Sequence, residues 1–436
     1  MNTLPDSSCG GREHLSRRTF LQAGGLAGGL SLTPVAEALS RAAEKQPSGA
    51  PARSVIVLWL QGGPSQLDTF DPKPGSPIGG EVKDRSTAVK GIQLAAGFEQ
   101  LADQMQHVSL IRSLISKEGD HERATYNMKT GYRPDPTLIH PSIGAVVCHQ
   151  LTDQLEIPRH VSILPNTWAA RGGYLGDQYD AFKIGDPRGP VPDVRPQVSD
   201  KRFAQRIQNL DLLEKSFARG RLRNLDEQKT LHQLSTQRAV TMMSSDQLVA
   251  FDIQQEPLTE QQAFGDSAMG RSCLAAARLI EAGVRCVEVT FGNWDSHINN
   301  AQFQAEKVAV LDPAFAALIR RLKERRLLDS TLVLCGGEFG RTPQINPAGG
   351  RDHWPHGFSM ALAGGGVAGG RVIGETSPDP ETERDQRGSD VVQPHPVADV
   401  HATVFHCLGI NFEQELQTPI GRPMAIAQGK VIEGLL

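Results

Sequence analysis

Apolar positions in this chain gather into short unbroken runs rather than alternating ones. Ser54-Val55-Ile56-Val57-Leu58-Trp59-Leu60 is continuous and rich in β-branched residues, and it stops at Gln61-Gly62-Gly63-Pro64. Such a run offers no polar face to water, so it predicts a strand covered on both sides, as in a parallel sheet. The same reading predicts strands at 108–114, 160–164, 286–291, 331–335 and 358–363. Between them the apolar spacing becomes helical over 143–151, 267–282 and 301–326. Strands alternating with helices of this length predict an α/β fold with a doubly wound, mostly parallel sheet flanked by helices.

Two stretches depart from that rhythm. From about 200 to 253 the chain is rich in Gln, Leu, Arg and Lys, with one glycine and no proline. It reads as a helical insertion over the sheet, either a cap near the active site or a hairpin that packs. The charged, proline-containing segment 376–393 reads as a surface loop.

Composition narrows the class. The 436 residues, 39% apolar and 22% charged, suit a soluble globular chain with one large α/β domain or two ordinary ones. A net charge of −4 excludes the basic surplus that nucleic acid would call for. The N-terminus carries Ser16-Arg17-Arg18-Thr19-Phe20-Leu21, a weakly apolar glycine-rich stretch from 22 to 35, then Ala36-Glu37-Ala38. This order resembles a twin-arginine export signal, and implies passage through the twin-arginine translocase to the periplasm or cell exterior. The stretch is too short and glycine-rich to leave a stable membrane anchor. The chain therefore divides into a signal at 1–38, a linker at 39–53 and one domain at 54–436. Beyond the signal, Cys148, Cys273, Cys286, Cys335 and Cys407 form no CxxC pair. The last four lie in apolar runs and read as buried small hydrophobes, with no disulfide framework.

In open α/β sheets, ligands bind beyond the carboxyl ends of strands. After the first strand comes Gly62-Gly63-Pro64-Ser65-Gln66-Leu67-Asp68, and after 286–291 comes Gly292-Asn293-Trp294-Asp295-Ser296-His297. After 331–335 come Gly336-Gly337-Glu338-Phe339-Gly340-Arg341 and then Arg351-Asp352-His353-Trp354-Pro355-His356. Separate strands thus deliver carboxylates and imidazoles to one sheet edge. Mixed Asp, Glu and His ligands suit divalent zinc, manganese or iron better than calcium or magnesium.

Four of these strings, 62–74, Trp-Asp-Ser-His at 294–297, Gly-Glu-Phe-Gly-Arg-Thr-Pro at 337–343 and Gly-Arg-Asp-His-Trp-Pro at 350–355, resemble the family called domain of unknown function 1501. The resemblance runs from about 54 to the C-terminus and implies an alkaline-phosphatase-like domain related to sulfatases. It implies metal ligation by Asp295 and His297, with Glu338 in place of a superfamily aspartate and His353 or His356 as the late histidine. Ser65 or Asp68 would stand near a first-strand aspartate. Thr130-Gly131 fits the end of a sulfatase pattern whose nucleophile position falls on His121 and whose arginine falls on Thr125. His121 would then be a metal ligand or a nucleophile, with Ser65 and Thr125 as the hydroxyl alternatives. Arg341 is the expected anion-binding group, since guanidinium matches phosphate and sulfate oxygens. Arg123 and Lys129 are further candidates that read by default as exposed helix charges, and Asp399, near His395, reads as structural. The implied function is an exported metal-dependent hydrolase of phosphate or sulfate esters, acting on a small-molecule or polysaccharide ester. The alternative is a non-catalytic metal- or carbohydrate-binding protein on the same fold.

Overall fold

A computed structural model describes residues 51–152, 155–168, 170–219, 231–378 and 390–436. The export signal and most of the linker read from the sequence lie outside these residues. The first strand, β1 (Ser54–Leu60), explains its own unbroken apolar run. Ile56, Leu58 and Leu60 enter one buried apolar cluster, while Val55 and Trp59 enter another on the opposite face. Successive strand side chains alternate between faces, so a sheet with two covered faces leaves no position for a polar residue.

The other strands of this nine-stranded sheet are β2 (Val108–Ile115), β3 (His160–Ile163), β4 (Phe182–Ile184), β5 (Cys286–Phe291), β6 (Thr331–Gly336), β7 (Phe358–Ala363), β8 (Val372–Ile373) and β9 (His395–Pro396). Their order is β8-β2-β7-β6-β1-β5-β3-β4, with β9 beside β2. β1 is parallel to both β5 and β6, whereas β7 runs antiparallel to both of its neighbours. The sheet is therefore mixed but mostly parallel, as the sequence predicts. The edge strands β4, β8 and β9 escaped the sequence reading because two or three residues carry no periodicity.

Helices cover both faces. α1 (His121–Thr130), α2 (Ile143–Gln150) and α7 (Val397–Cys407) pack on the face of Val55 and Trp59. α5 (Ala268–Glu281) and α6 (Asn300–Glu324) cover the other face and build the larger core. Between these sets, α3 (Asp200–Arg219) and α4 (Leu231–Met243) occupy the Gln- and Leu-rich stretch. Phe251 and Ile253, just beyond α4, anchor in the larger core. Of the segment read as a surface loop, 379–389 lie outside the described residues, and its flanks Glu375–Thr376 and Val391–Val392 pair antiparallel. All five described cysteines are buried. No described helix is long and apolar enough to cross a membrane.

Candidate metal centre

Several chain segments meet beyond the carboxyl end of β1, and local sequence fixes each approach. Asp120 caps α1, its side chain accepting from the backbone N–H of Glu122 and Arg123 at 3.1 Å, which places His121 at the helix start. After β5, Asn293 takes φ +64° and Trp294 is fully buried, so the chain turns and presents Asp295 at the half-exposed rim. The loop after β1 reaches this turn closely. A Cβ at Gly62, which has φ +114°, would lie 2.6 Å from the backbone nitrogens of Trp294 and Asp295, so glycine is required there. The Gly62 N–H donates to the buried Glu338 carboxylate beyond β6 at 2.8 Å. A short antiparallel ladder pairs Gly340–Arg341 with His353–Trp354 and returns His353 to the same rim.

The imidazoles converge on one carboxylate. His121 Nε2 lies 3.4 Å from Asp295 Oδ2, and His353 Nε2 and His297 Nε2 lie 3.2 and 3.0 Å from Asp295 Oδ1. His121, Asp295 and His353 each offer a ligand atom within 4.8 Å of the others. Each ring is held by its other nitrogen. His353 Nδ1 donates to the Gly119 carbonyl at 3.0 Å, His297 Nδ1 meets Asp352 Oδ1 at 2.9 Å, and His121 Nδ1 meets Glu338 Oε1 at 2.8 Å. These acceptors assign the proton to Nδ1 and leave Nε2 bare in the neutral rings.

That assignment has a consequence at His297 and His353, whose Nε2 atoms face each other 3.1 Å apart. Two lone pairs at this separation need a proton or a cation between them. Ligand nitrogens around a tetrahedral zinc at ~2.05 Å would stand ~3.3 Å apart, close to the spacings here. Metal-bound histidines are held in this way by an acceptor on the far nitrogen. Glu338 adds a buried Oε2 with no hydrogen-bond partner among the described residues. The donor set therefore fits a divalent ion of the zinc, manganese or iron type.

Electrostatics follow the same geometry. Burial works to raise the Asp295 carboxyl, but His121 and Arg341 outweigh it and hold the group ionised well below the usual range. Asp295 and then Glu338 raise the His121 imidazole to about 9 against the opposing effect of burial.

The remaining expected residues take other places. Arg341 is fully buried, with Nε donating to the Gly63 carbonyl at 2.8 Å, Nη1 to the Arg351 carbonyl at 3.1 Å, and Nη2 to the Gly62 carbonyl and to Asp295 Oδ1. Its guanidinium is engaged in holding loops and Asp295, not offered to a substrate anion. Ser65 and Asp68 are buried, the Ser65 hydroxyl donating to Asp68, which pairs with Arg351 at 3.1 Å. Neither belongs to the group that meets at Asp295. His356 stands edge-on to Trp354 with 6.4 Å between ring centres, outside that group too. Thr125 is buried one helical turn after His121, and its hydroxyl has no partner among the described residues. Arg123 pairs with Glu118 at 2.7 Å on an exposed side chain, as a helix surface charge does. Lys129 is the exception to that default. It is buried, donating to Glu288 at 2.8 Å and to the Trp168 carbonyl at 2.7 Å. Asp399 accepts from the Lys430 N–H at 2.9 Å and lies 3.2 Å from His395 Nδ1, tying the C-terminal segment to α7.

Sequence reasoning missed Asp352 and the Gly119 carbonyl, which hold rings, and the Gly62 N–H, which holds Glu338. Asp352 was within reach, since it directly precedes His353 in the quoted string; a backbone carbonyl leaves no mark in a sequence.

A family model described as a protein of unknown function (DUF1501) matches residues 52–436. No curated protein matches the chain. Solved structures similar to it include the PsFucS1 sulfatase from Pseudoalteromonas sp., at 11% identity over 87% of this chain and 72% of that one, with a TM-score of 0.39. Alkaline phosphatase from the Antarctic bacterium TAB5 is 13% identical over 83% of this chain and 99% of that one, with a TM-score of 0.38. A protein in the alkaline phosphatase superfamily from Vibrio parahaemolyticus is 10% identical over 88% and 76%, with a TM-score of 0.38. Likeness at this level carries no argument about activity; the chemistry rests on the geometry above.

Proposed function

The chain belongs to the DUF1501 family, a family of unknown function, and from that premise we propose that it is an exported, metal-dependent hydrolase of phosphate or sulfate esters. The observation that carries the reading is the convergence of Nδ1-anchored imidazoles on the Asp295 carboxylate at an open strand-end rim. His121, Asp295 and His353 are the ligands in this reading, with His297 and Glu338 beside them. A divalent ion held there by His121, Asp295 and His353 would polarise an ester oxygen and make a water more acidic.

The chain's own residues do the positioning. Gly119, Asp352 and Glu338 fix the ring orientations, and Arg341 steers Asp295 while keeping it ionised. Both His121 nitrogens face carboxylates, which supports a ligand rather than a nucleophile. The Ser65 hydroxyl is committed to Asp68 in a closed position. With Thr125 also outside the group that meets at Asp295, the attacking group in this reading is a water. Export rests on the Arg17-Arg18 segment, which lies outside the described residues.

Elemental analysis of the purified protein tests the centre. Wild type and His356→Ala should carry near-stoichiometric zinc, manganese or iron, and Asp295→Ala and His353→Ala less than about a tenth of that. Hydrolysis of p-nitrophenyl phosphate or sulfate should vanish with chelator and return with the ion. Protein that takes up none of these ions on dialysis would sink the proposal. Tight metal without turnover of either ester would describe a binding protein instead.

A further inference from the structure

One turn beyond His121, α1 lines a cavity of about 210 Å³ that the metal cluster does not use. Thr125, Tyr126 and Lys129 of that helix line it together with His140, Trp168 and Arg171 among others. Two buried polar atoms of its lining residues, Thr125 Oγ1 and His140 Nε2, have no partner among the described residues. The residues are 1% and 4% exposed, so water at the surface does not serve them. Both atoms lie beneath the cavity wall, and buried polar groups left unpaired cost free energy that an occupant drawing these side chains round to it would recover.

The protonation of His140 can be assigned. The Tyr126 hydroxyl accepts the His140 backbone N–H at 2.7 Å, so its own proton goes to His140 Nδ1 at 2.9 Å in preference to the Leu138 carbonyl at 3.4 Å. Burial lowers the His140 pKa, which favours the neutral ring. The ring's single proton then sits on Nε2 as an unused donor. Thr125 adds a hydroxyl that both donates and accepts.

Charge selects the occupant. The Lys129 cation is taken by Glu288 and the Trp168 carbonyl, and the exposed rim holds one charge of each sign, Glu122 and Arg171. Among the described residues no uncommitted buried cation lines the cavity, so a free phosphate or sulfate has no counter-charge from them. A ring with several hydroxyls fits instead, its C–H face against Tyr126 and Trp168 and its hydroxyls on Thr125 and His140. The volume lies below the ~300–1,000 Å³ of pockets for drug-sized ligands, which suits one ring rather than several.

We propose that this cavity binds a single neutral sugar ring, the part of an ester that does not react. The inference rests on the reading of the neighbouring centre as an ester hydrolase. Thr125 follows His121 by ~6 Å of helix rise, so a ring in the cavity and an ester group at the metal rim belong to one molecule.

Saturation-transfer NMR with methyl α-glucoside, methyl α-galactoside and methyl α-mannoside tests it on both metal-loaded and chelator-treated protein. At least one glycoside should bind saturably in both forms. Thr125→Val and Trp168→Ala should each weaken binding about 3- to 10-fold, and Thr125→Ser should restore it. Three results would overturn the inference: no saturable glycoside, binding indifferent to Thr125→Val and Trp168→Ala, or displacement by sulfate or phosphate in chelator-treated protein. Glycoside binding without ester hydrolysis would uphold it and sink the ester reading, and hydrolysis without glycoside binding would do the reverse.

Discussion

Arg351 and His353 stand two positions apart, yet their side chains enter opposite surroundings. Arg351 is fully buried, donating to the carbonyls of Thr342 at 2.9 Å, Pro343 at 2.6 Å and Ile78 at 2.8 Å. Its Nε lies 3.1 Å from Asp68 without hydrogen-bond alignment, so that contact is ionic. His353 is a quarter exposed, and its Nε2 faces Asp295 and His297 with a bare lone pair. Both clusters combine carboxylates with basic side chains in loops beyond strand ends. The difference teaches that such a cluster is read by what its groups still lack, not by its residue types. The Arg351 cluster is nearly complete in itself; the His353 cluster asks for a cation.

The sharpest way to break the comparison is Asp68→Ala. It leaves the Arg351 guanidinium buried without a counter-ion, and removing one partner of a buried pair costs about 3–5 kcal/mol. Urea unfolding should report that loss, while metal per folded molecule stays unchanged. A loss under about 1 kcal/mol would show that the cluster is not structural.

A smaller effect is expected at Glu338→Gln. The amide oxygen can still accept from Gly62, but the carboxylate that holds the His121 ring is gone. Metal affinity, measured by competition with a chromophoric chelator, should fall about 10- to 100-fold. Unchanged affinity would remove Glu338 from the support of the site.

The smallest effect is a pH dependence of the metal-free protein. Asp295 and Glu338 hold the His121 imidazole up to about 9 in the folded protein, against the ordinary imidazole value of 6.5 in the unfolded chain. A raised folded pKa stabilises fully below the unfolded value, so stability should decline between pH 6.5 and about 9. His121→Ala should flatten that decline in urea titrations. Metal binding must expel the same proton, so proton release on loading at pH 7 should fade above pH 9. Stability rising over this window in wild type would place the proton elsewhere.

Much of the frame was legible because its signals are long. The β1 run, the strands at 286–291 and 331–336, and helices of 14 and 25 residues each carry enough periodicity to declare themselves. The antiparallel sense of β7 was not legible, since an apolar run reads alike in either direction. At the site, Asp295, His297 and Glu338 stood out because each follows a strand closely, and His353 because it lies in the Gly-Arg-Asp-His-Trp-Pro string. Arg341 was misjudged because a sequence shows a cation but not the carbonyls around it. Lys129 was misjudged for the same reason, its Glu288 partner lying on β5. The Thr125 and His140 cavity left no trace, because unpartnered atoms exist only once the chain has folded.

The spacing of the contacts has a kinetic consequence. Gly62 and Glu338 are 276 residues apart, His121 and Glu338 are 217 apart, and β1 pairs with strands that follow it by more than half the chain. Non-local sheets of this kind close late, after the entropy of long loops has been met. The imidazoles therefore reach Asp295 only when the topological search is over, and no earlier intermediate owns the complete ligand set. In the proposed centre, ion capture would then act as a latch on the finished chain, slowing escape from the native state and leaving the rate of arrival untouched.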